Sequence, residues 1–126
     1  KGPILVYSAF ERTVLRKLAR EFPNYSVAIG AVIERLVDLL SITRAHYYHP
    51  AMKGSWSIKA VLPTIAPDMD YALLDGIKEG TAASEGFLEA IHPETTAERK
   101  AELEEQLLRY CKFDTEAMVE IVKFFS

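Results

Sequence analysis

The sequence holds few of the residues that mark a secreted or metal-stapled protein. Only one cysteine, Cys111, is present among 126 residues, which excludes an internal disulfide and a cysteine-based zinc site. His46 and His49 stand close together, but with no cysteine or acidic residue beside them their spacing is a poor fit to zinc. Long apolar runs are also missing: no stretch approaches the roughly 20 residues of a membrane helix, and none has the layout of a signal peptide. The expected setting is therefore bacterial-type cytoplasm, with no membrane partner. An excess of basic charge is lacking too, because 15 Lys and Arg face 18 Asp and Glu, for a formal net charge of −3. That balance argues against binding nucleic acid through overall positive charge.

What is present suits one folded domain. The hydrophobic share, 49% with 10% aromatic, is enough for a real core in a chain of this length. Residues 1–126 are expected to form a single domain, and an incomplete one. The chain starts at Lys1 without methionine and enters an apolar segment almost at once, as a piece excised from a longer protein would.

The last helix organises the reading. Leu103, Leu107, Tyr110, Asp114, Met118, Ile121 and Phe125 recur at steps of three and four over a helix expected from Ala97 to Phe125. Charged residues such as Arg99, Glu104, Lys112 and Glu120 fall mostly outside that stripe, as on a helix packed on one side. Asp114 is the anomaly, since an unpaired carboxylate in an apolar setting costs several kcal/mol. Tyr110 lies one turn before it on the same face. Two explanations are open. Either both side chains share one site, or Tyr110 is core and Asp114 caps a second helix from Thr115, after a break at Lys112 or Phe113.

Toward the N-terminus, Pro3-Ile4-Leu5-Val6-Tyr7 is a short apolar run rich in strand formers, consistent with a buried parallel strand. Ser8-Ala9-Phe10-Glu11 has capping-box spacing, and Val14, Leu15, Leu18, Ala19 and Phe22 then give a helix stopped by Pro23. Arg12, Arg16 and Arg20, with Lys17, form a basic stripe on the other side, which either follows phosphates or is simply solvated. From Val27 to Leu40 the apolar spacing again fits a helix whose end can turn into a short strand, with Asp38 terminating or capping an element.

The segment from Arg44 to Ser57 is the least helical and reads as a long exposed loop. Its aromatics, Tyr48 among them, with Arg44, Lys53 and Lys59, either stack on a single strand of nucleic acid and contact its phosphates, or pack around Trp56. A short helix from Ser57 to Leu62, ended by Pro63, and a further helix marked by Gly80, Ala83, Phe87 and Ile91 complete the chain before the last helix.

Tyr110-Cys111-Lys112-Phe113-Asp114 resembles the Tyr-x-x-x-Asp third motif of four-carboxylate 3′→5′ exonucleases with a ribonuclease H-like fold, including the proofreading domains of DNA polymerases. Val6-Tyr7-Ser8-Ala9-Phe10-Glu11 is similar to the same family's second acidic segment, with Ser8 in place of the usual Asn and Glu11 in place of the usual Asp. Asp38-Leu39-Leu40 followed by Arg44 resembles the segment after that motif, and Ser57-Ile58-Lys59 a helix found nearby. Over nearly the whole chain, the succession of these motifs resembles the bacterial domain-of-unknown-function family 2779.

The resemblance implies an α/β fold: the C-terminal part of a ribonuclease H-like domain, helix-dominated, with one to three short strands. It implies Asp114 and Glu11 as metal ligands for Mg²⁺ or Mn²⁺ and Tyr110 as the residue that positions the attacking water. The implied partners are DNA or RNA, in particular single strands, with Arg12, Arg16, Tyr48, Lys53 and Lys59 as contacts. The implied reaction is phosphodiester hydrolysis in the full-length parent. Negative charge does not exclude it, because acidic nuclease sites are partly neutralised by their cations. Complete exonucleases also carry an Asp-x-Glu motif on an upstream strand, which this chain lacks, so the fragment is expected to be inactive without the N-terminal remainder of its parent. The competing class is a noncatalytic nucleic-acid-binding or adaptor module on the same fold.

Overall fold

Two short strands and six α-helices follow one another in the order β1 (Ile4–Val6), α1 (Phe10–Glu21), α2 (Ser26–Ile33), β2 (Leu36–Asp38), α3 (Leu39–His46), α4 (Ile58–Ile65), α5 (Gly80–Ile91) and α6 (Ala97–Phe125). This computed structural model describes residues 1–126. The architecture is helix-dominated α/β with a two-stranded parallel sheet. Residues divide into two compact units, one of Lys1–Val61 with Phe125–Ser126 and one of Leu62–Phe124.

In the first unit β1 pairs in parallel with β2, in the register Ile4↔Leu36, Leu5↔Val37 and Val6↔Asp38. Parallel strands need a long crossover, and α1 and α2, packed on each other, supply it. The helix expected from Val27 ends at Ile33, and the end of the run to Leu40 turns into a short strand as its spacing allowed, because the Arg35 carbonyl accepts the Ile4 N–H at 2.8 Å and draws the next three residues into the sheet. The β-branched, glycine-containing sequence before it offers little helix propensity to resist. Asp38 then ends the strand and caps α3, its Oδ1 accepting from the N–H of Leu40 at 2.9 Å and of Ser8 at 3.0 Å.

That second bond alters the start of α1. Ser8 turns to φ 135° with its amide held on Asp38, the cap residue is Ala9, and no side chain caps the helix. The expected capping box between Ser8 and Glu11 is therefore not formed, and the Ser8 hydroxyl accepts from the Phe10 N–H at 3.2 Å instead. Val6, Leu36, Leu39, Met52 and Val61 are buried, with Thr43 among them satisfied by donating to the Leu39 carbonyl at 2.7 Å.

The second unit is built from a 3-10 turn at Tyr71–Leu73, α5 and α6. Asp70 starts the turn by accepting from the Ala72 N–H at 2.9 Å. Leu103, Ala117 and Ile121 of α6 are buried, as are Tyr71, Ile77 and Ala90, each large apolar side chain stabilising by roughly 1.5–3 kcal/mol. Gly86 of α5 is placed so that a Cβ would lie 2.8 Å from Ile77 Cδ1 and 3.6 Å from Leu103 Cδ2, which explains the small residue there. Arg99 joins α6 to α5 by two bonds to the Glu89 carboxylate, 2.7 and 3.2 Å. That pair holds the exposed Glu89 carboxyl below its usual range, chiefly through the hydrogen bond from Arg99.

Candidate functional site

In α6 the helix runs unbroken through Lys112 and Phe113, so Asp114 is an interior residue and does not cap a second helix. Leu103 and Ile121 of the predicted stripe are buried, while Tyr110 and Asp114 are half-buried. The carboxylate has a partner that the periodicity does not reveal. Tyr71, only 2% exposed, donates its hydroxyl proton to Asp114 Oδ1 at 2.5 Å. Its ring packs edge-on against Phe113, 4.7 Å between centroids, and tilted against Tyr110, 6.3 Å. The ring whose hydroxyl holds the carboxylate is thus itself packed against two further aromatic rings of α6. The Tyr110 phenol is raised above its usual pKa, first by burial and then by the neighbouring Asp114 charge, and stays neutral near pH 7.

Glu11 belongs to the first unit, where it is exposed in the first turn of α1. It lies on the rim of a groove otherwise lined by apolar residues of β1, β2, α1 and α2. Arg16 is exposed and Arg12 half-buried on the same helix, and Lys17 pairs with Glu21 at 3.8 Å.

The Arg44–Ser57 segment is more ordered than its composition suggests. α3 extends to His46, Pro50–Met52 forms a 3-10 turn, and the rest gathers on Trp56. Trp56 donates its indole N–H to the Tyr47 carbonyl at 2.8 Å, and its own carbonyl accepts from Tyr7 at 2.6 Å. Burial pushes the Tyr7 phenol up to about 12, partly opposed by the Thr43 hydroxyl beside it. The Tyr48 ring lies 5.4 Å from Trp56, its hydroxyl accepts from the Gly54 N–H at 3.0 Å, and half of its surface stays open. The Arg44 guanidinium stands 6.0 Å from the Trp56 ring centroid, within cation–π range. Lys53, at φ 52°, and Lys59 are exposed beside this cluster. His49 turns its Nδ1 to the Ala51 N–H at 3.1 Å, a local structural role.

Residues 1–57 match the family model described as Domain of unknown function (DUF2779). The match takes in β1, α1, α2, β2, α3 and the loop that gathers on Trp56, and leaves Tyr71, Tyr110 and Asp114 outside it. The resemblance read over nearly the whole chain thus has this support over its first part. Neither curated proteins nor solved structures give a match to this chain.

No three His, Cys, Asp or Glu side chains come close enough together to hold a metal ion. The donors within this chain therefore do not make up a Mg²⁺ or Mn²⁺ site. Asp114 offers one oxygen already engaged by Tyr71 and a second with no protein donor, and a lone carboxylate oxygen is far from the six or so ligands that Mg²⁺ demands. Tyr71 is the residue that sequence reasoning missed. A tyrosine directly after an aspartate that caps a turn offers no periodic signal, and its distance in sequence from α6 hides the pairing.

Proposed function

We propose that residues 1–126 are the C-terminal part of a ribonuclease H-like, exonuclease-type domain that serves phosphodiester hydrolysis on DNA or RNA in its full-length parent. The observation that carries this reading is the pair on α6: Tyr110 and Asp114 lie one turn apart on an unbroken helix, half-buried, with one carboxylate oxygen still open. A carboxylate kept in an otherwise apolar stripe, beside a neutral phenol, fits a role in chemistry as well as in packing. Support over the first part comes from the strand–helix crossover–strand arrangement of β1, α1, α2 and β2. Glu11 is the second acidic residue in this reading, and the Mg²⁺ or Mn²⁺ requirement belongs to the parent, with its N-terminal remainder supplying the missing carboxylates. The chain by itself is accordingly proposed to be inactive. Nucleic-acid contacts fall to Arg12, Arg16, Tyr48, Lys53 and Lys59, all of which lie in the first unit.

One observation favours a second reading. Because Tyr71 already satisfies Asp114 in part, the carboxylate has a structural use without any metal, which fits a noncatalytic nucleic-acid-binding or adaptor module. Labelled single-stranded DNA and RNA, incubated with Mn²⁺ and either full-length protein or residues 1–126, separate the two. The hydrolytic reading expects degradation by the full-length protein, lowered at least about 100-fold by Asp114→Asn, and none by the fragment. Binding without degradation by the full-length protein would leave the adaptor.

A further inference from the structure

The modest net charge of the chain hides an uneven distribution. In the unit of Lys1–Val61 with Phe125–Ser126, nine Lys and Arg stand against four Asp and Glu, a formal +5. In Leu62–Phe124, six stand against 14, a formal −8, and the two units together give the −3 of the whole. Overall negative charge therefore does not disfavour a polyanion at the first unit, whose own balance is strongly basic.

Within that unit, basic residues and an open aromatic ring meet at the Trp56 loop. Trp56 is held through its indole N–H by the Tyr47 carbonyl and through its own carbonyl by the Tyr7 hydroxyl. On this fixed base the Tyr48 ring leans at 51°, 5.4 Å between centroids. The Gly54 N–H locks the Tyr48 hydroxyl at 3.0 Å, so the ring cannot swing away. That bond also brings Lys53, the residue before Gly54, to the edge of the ring in a left-handed conformation with φ 52°. Arg44 stands on Trp56, 6.0 Å from its ring centroid, and is exposed. The covered part of Tyr48 meets the packing needs of the loop, yet 50% of the residue stays open to solvent.

We infer that the open face of Tyr48 is a stacking site for one unpaired nucleobase of a nucleic acid, with Arg44 and Lys53 taking neighbouring phosphates. An open ring face accepts any flat or apolar partner, including a sugar or a proline side chain. The basic charge of the unit selects among these, because only the nucleobase comes attached to a row of phosphates. Duplexes are disfavoured, since their bases already stack on one another and present no free face. Because the ring is fixed before any ligand arrives, stacking on it costs little ordering of the protein. The inference deepens the proposed function and rests on its nucleic-acid partner. It does not depend on Asp114 or on any metal, and it holds for the hydrolytic and the adaptor readings alike.

The test measures fluorescence anisotropy of the full-length protein in EDTA with three labelled probes: an oligothymidylate, an abasic strand of the same length and a blunt duplex. Wild type should bind the oligothymidylate about 10-fold more tightly than either other probe. Tyr48→Leu should remove that preference and leave affinity for the abasic strand unchanged, while Tyr48→Phe, which keeps the ring, should retain it. Lys53→Gln should weaken both single strands alike and lower the salt slope by about 0.7. Equal wild-type affinity for the two single strands, or a Tyr48→Leu variant that behaves as wild type, would overturn the stacking site and leave nucleic-acid binding in place. A loss with Tyr48→Phe as large as with Tyr48→Leu would overturn it too, by assigning the effect to the Gly54 bond. Absence of binding to every probe at low salt would overturn both the stacking site and the nucleic-acid reading on which it rests.

Discussion

Replacing Tyr71 by Phe removes one hydroxyl and leaves the rest of its surroundings in place. The ring keeps its contacts with Phe113 and Tyr110 at 4.7 and 6.3 Å, so no cavity opens and the loss is that of the hydrogen bond to Asp114. Bonds to charged acceptors contribute about 1.5–3 kcal/mol, more than neutral ones. Asp114 is half-buried and water can reach part of the vacated position, which places the cost near the lower bound, about 1.5 kcal/mol. Tyr71→Ala adds the loss of a ring that is 2% exposed and should cost about 3–5 kcal/mol. Asp114→Asn keeps an acceptor but not its charge and should cost about 1 kcal/mol, the difference between charged and neutral bonds. If the pair acts as one unit, Tyr71→Phe and Asp114→Asn together should cost clearly less than their sum. Urea unfolding of the four proteins measures this. A Tyr71→Phe variant within about 0.3 kcal/mol of wild type, or strict additivity in the cycle, would refute the claim that Tyr71 accounts for the carboxylate on the apolar stripe.

Tyr7 should give the fold an alkaline limit. Its folded pKa, about 12, lies above the usual 10.0, so the folded state holds the phenol proton more tightly. The associated stability is fully present below pH 10 and is lost as pH rises toward about 12. Tyr7→Phe should flatten that part of the stability–pH curve, which unfolding measured across the range checks, and an unchanged alkaline slope would count against the burial argument. Gly76 sits at φ 79°, and a Cβ there would lie 2.3 Å from Gln106 Cδ. Gly76→Ala should cost about 1–2 kcal/mol from the left-handed backbone plus displacement of Gln106. Adding Gln106→Ala should recover only the displacement part, and a neutral Gly76→Ala would show that the turn is not held as described.

Where the sequence carried a strong period, it could be read directly. The helix from Ala97 to Phe125 has the expected bounds, with Leu103 and Ile121 buried, and β1 lies within the Pro3–Tyr7 run. Reading failed where a long-range bond overrode a local pattern. The Ser-x-x-Glu spacing at Ser8 promised a capping box, but Asp38, thirty residues away, takes the Ser8 amide and moves the helix start. The run to Leu40 was read as a helix whose end can turn into a short strand, and it does so, because β2, only three residues long, is created by pairing with β1. At the candidate site, the geometry of Tyr110 and Asp114 followed from their spacing of four, whereas the Tyr71 partner had no local signature. The aromatic loop was visible in composition, but its order depends on Trp56 bonds to Tyr7 and Tyr47 that no spacing rule anticipates.

The central proposal, that Asp114, besides accepting from Tyr71, serves a metal site completed in the parent protein, is tested most directly by thermal unfolding of the full-length protein with and without Mn²⁺. Ligand at 100 times its dissociation constant stabilises by about 2.7 kcal/mol, so wild type should shift upward in Tm, while Asp114→Asn should shift little at the same Mn²⁺ concentration. Equal Mn²⁺-induced shifts in the two proteins would remove Asp114 from any metal site and leave it as the acceptor for Tyr71 alone.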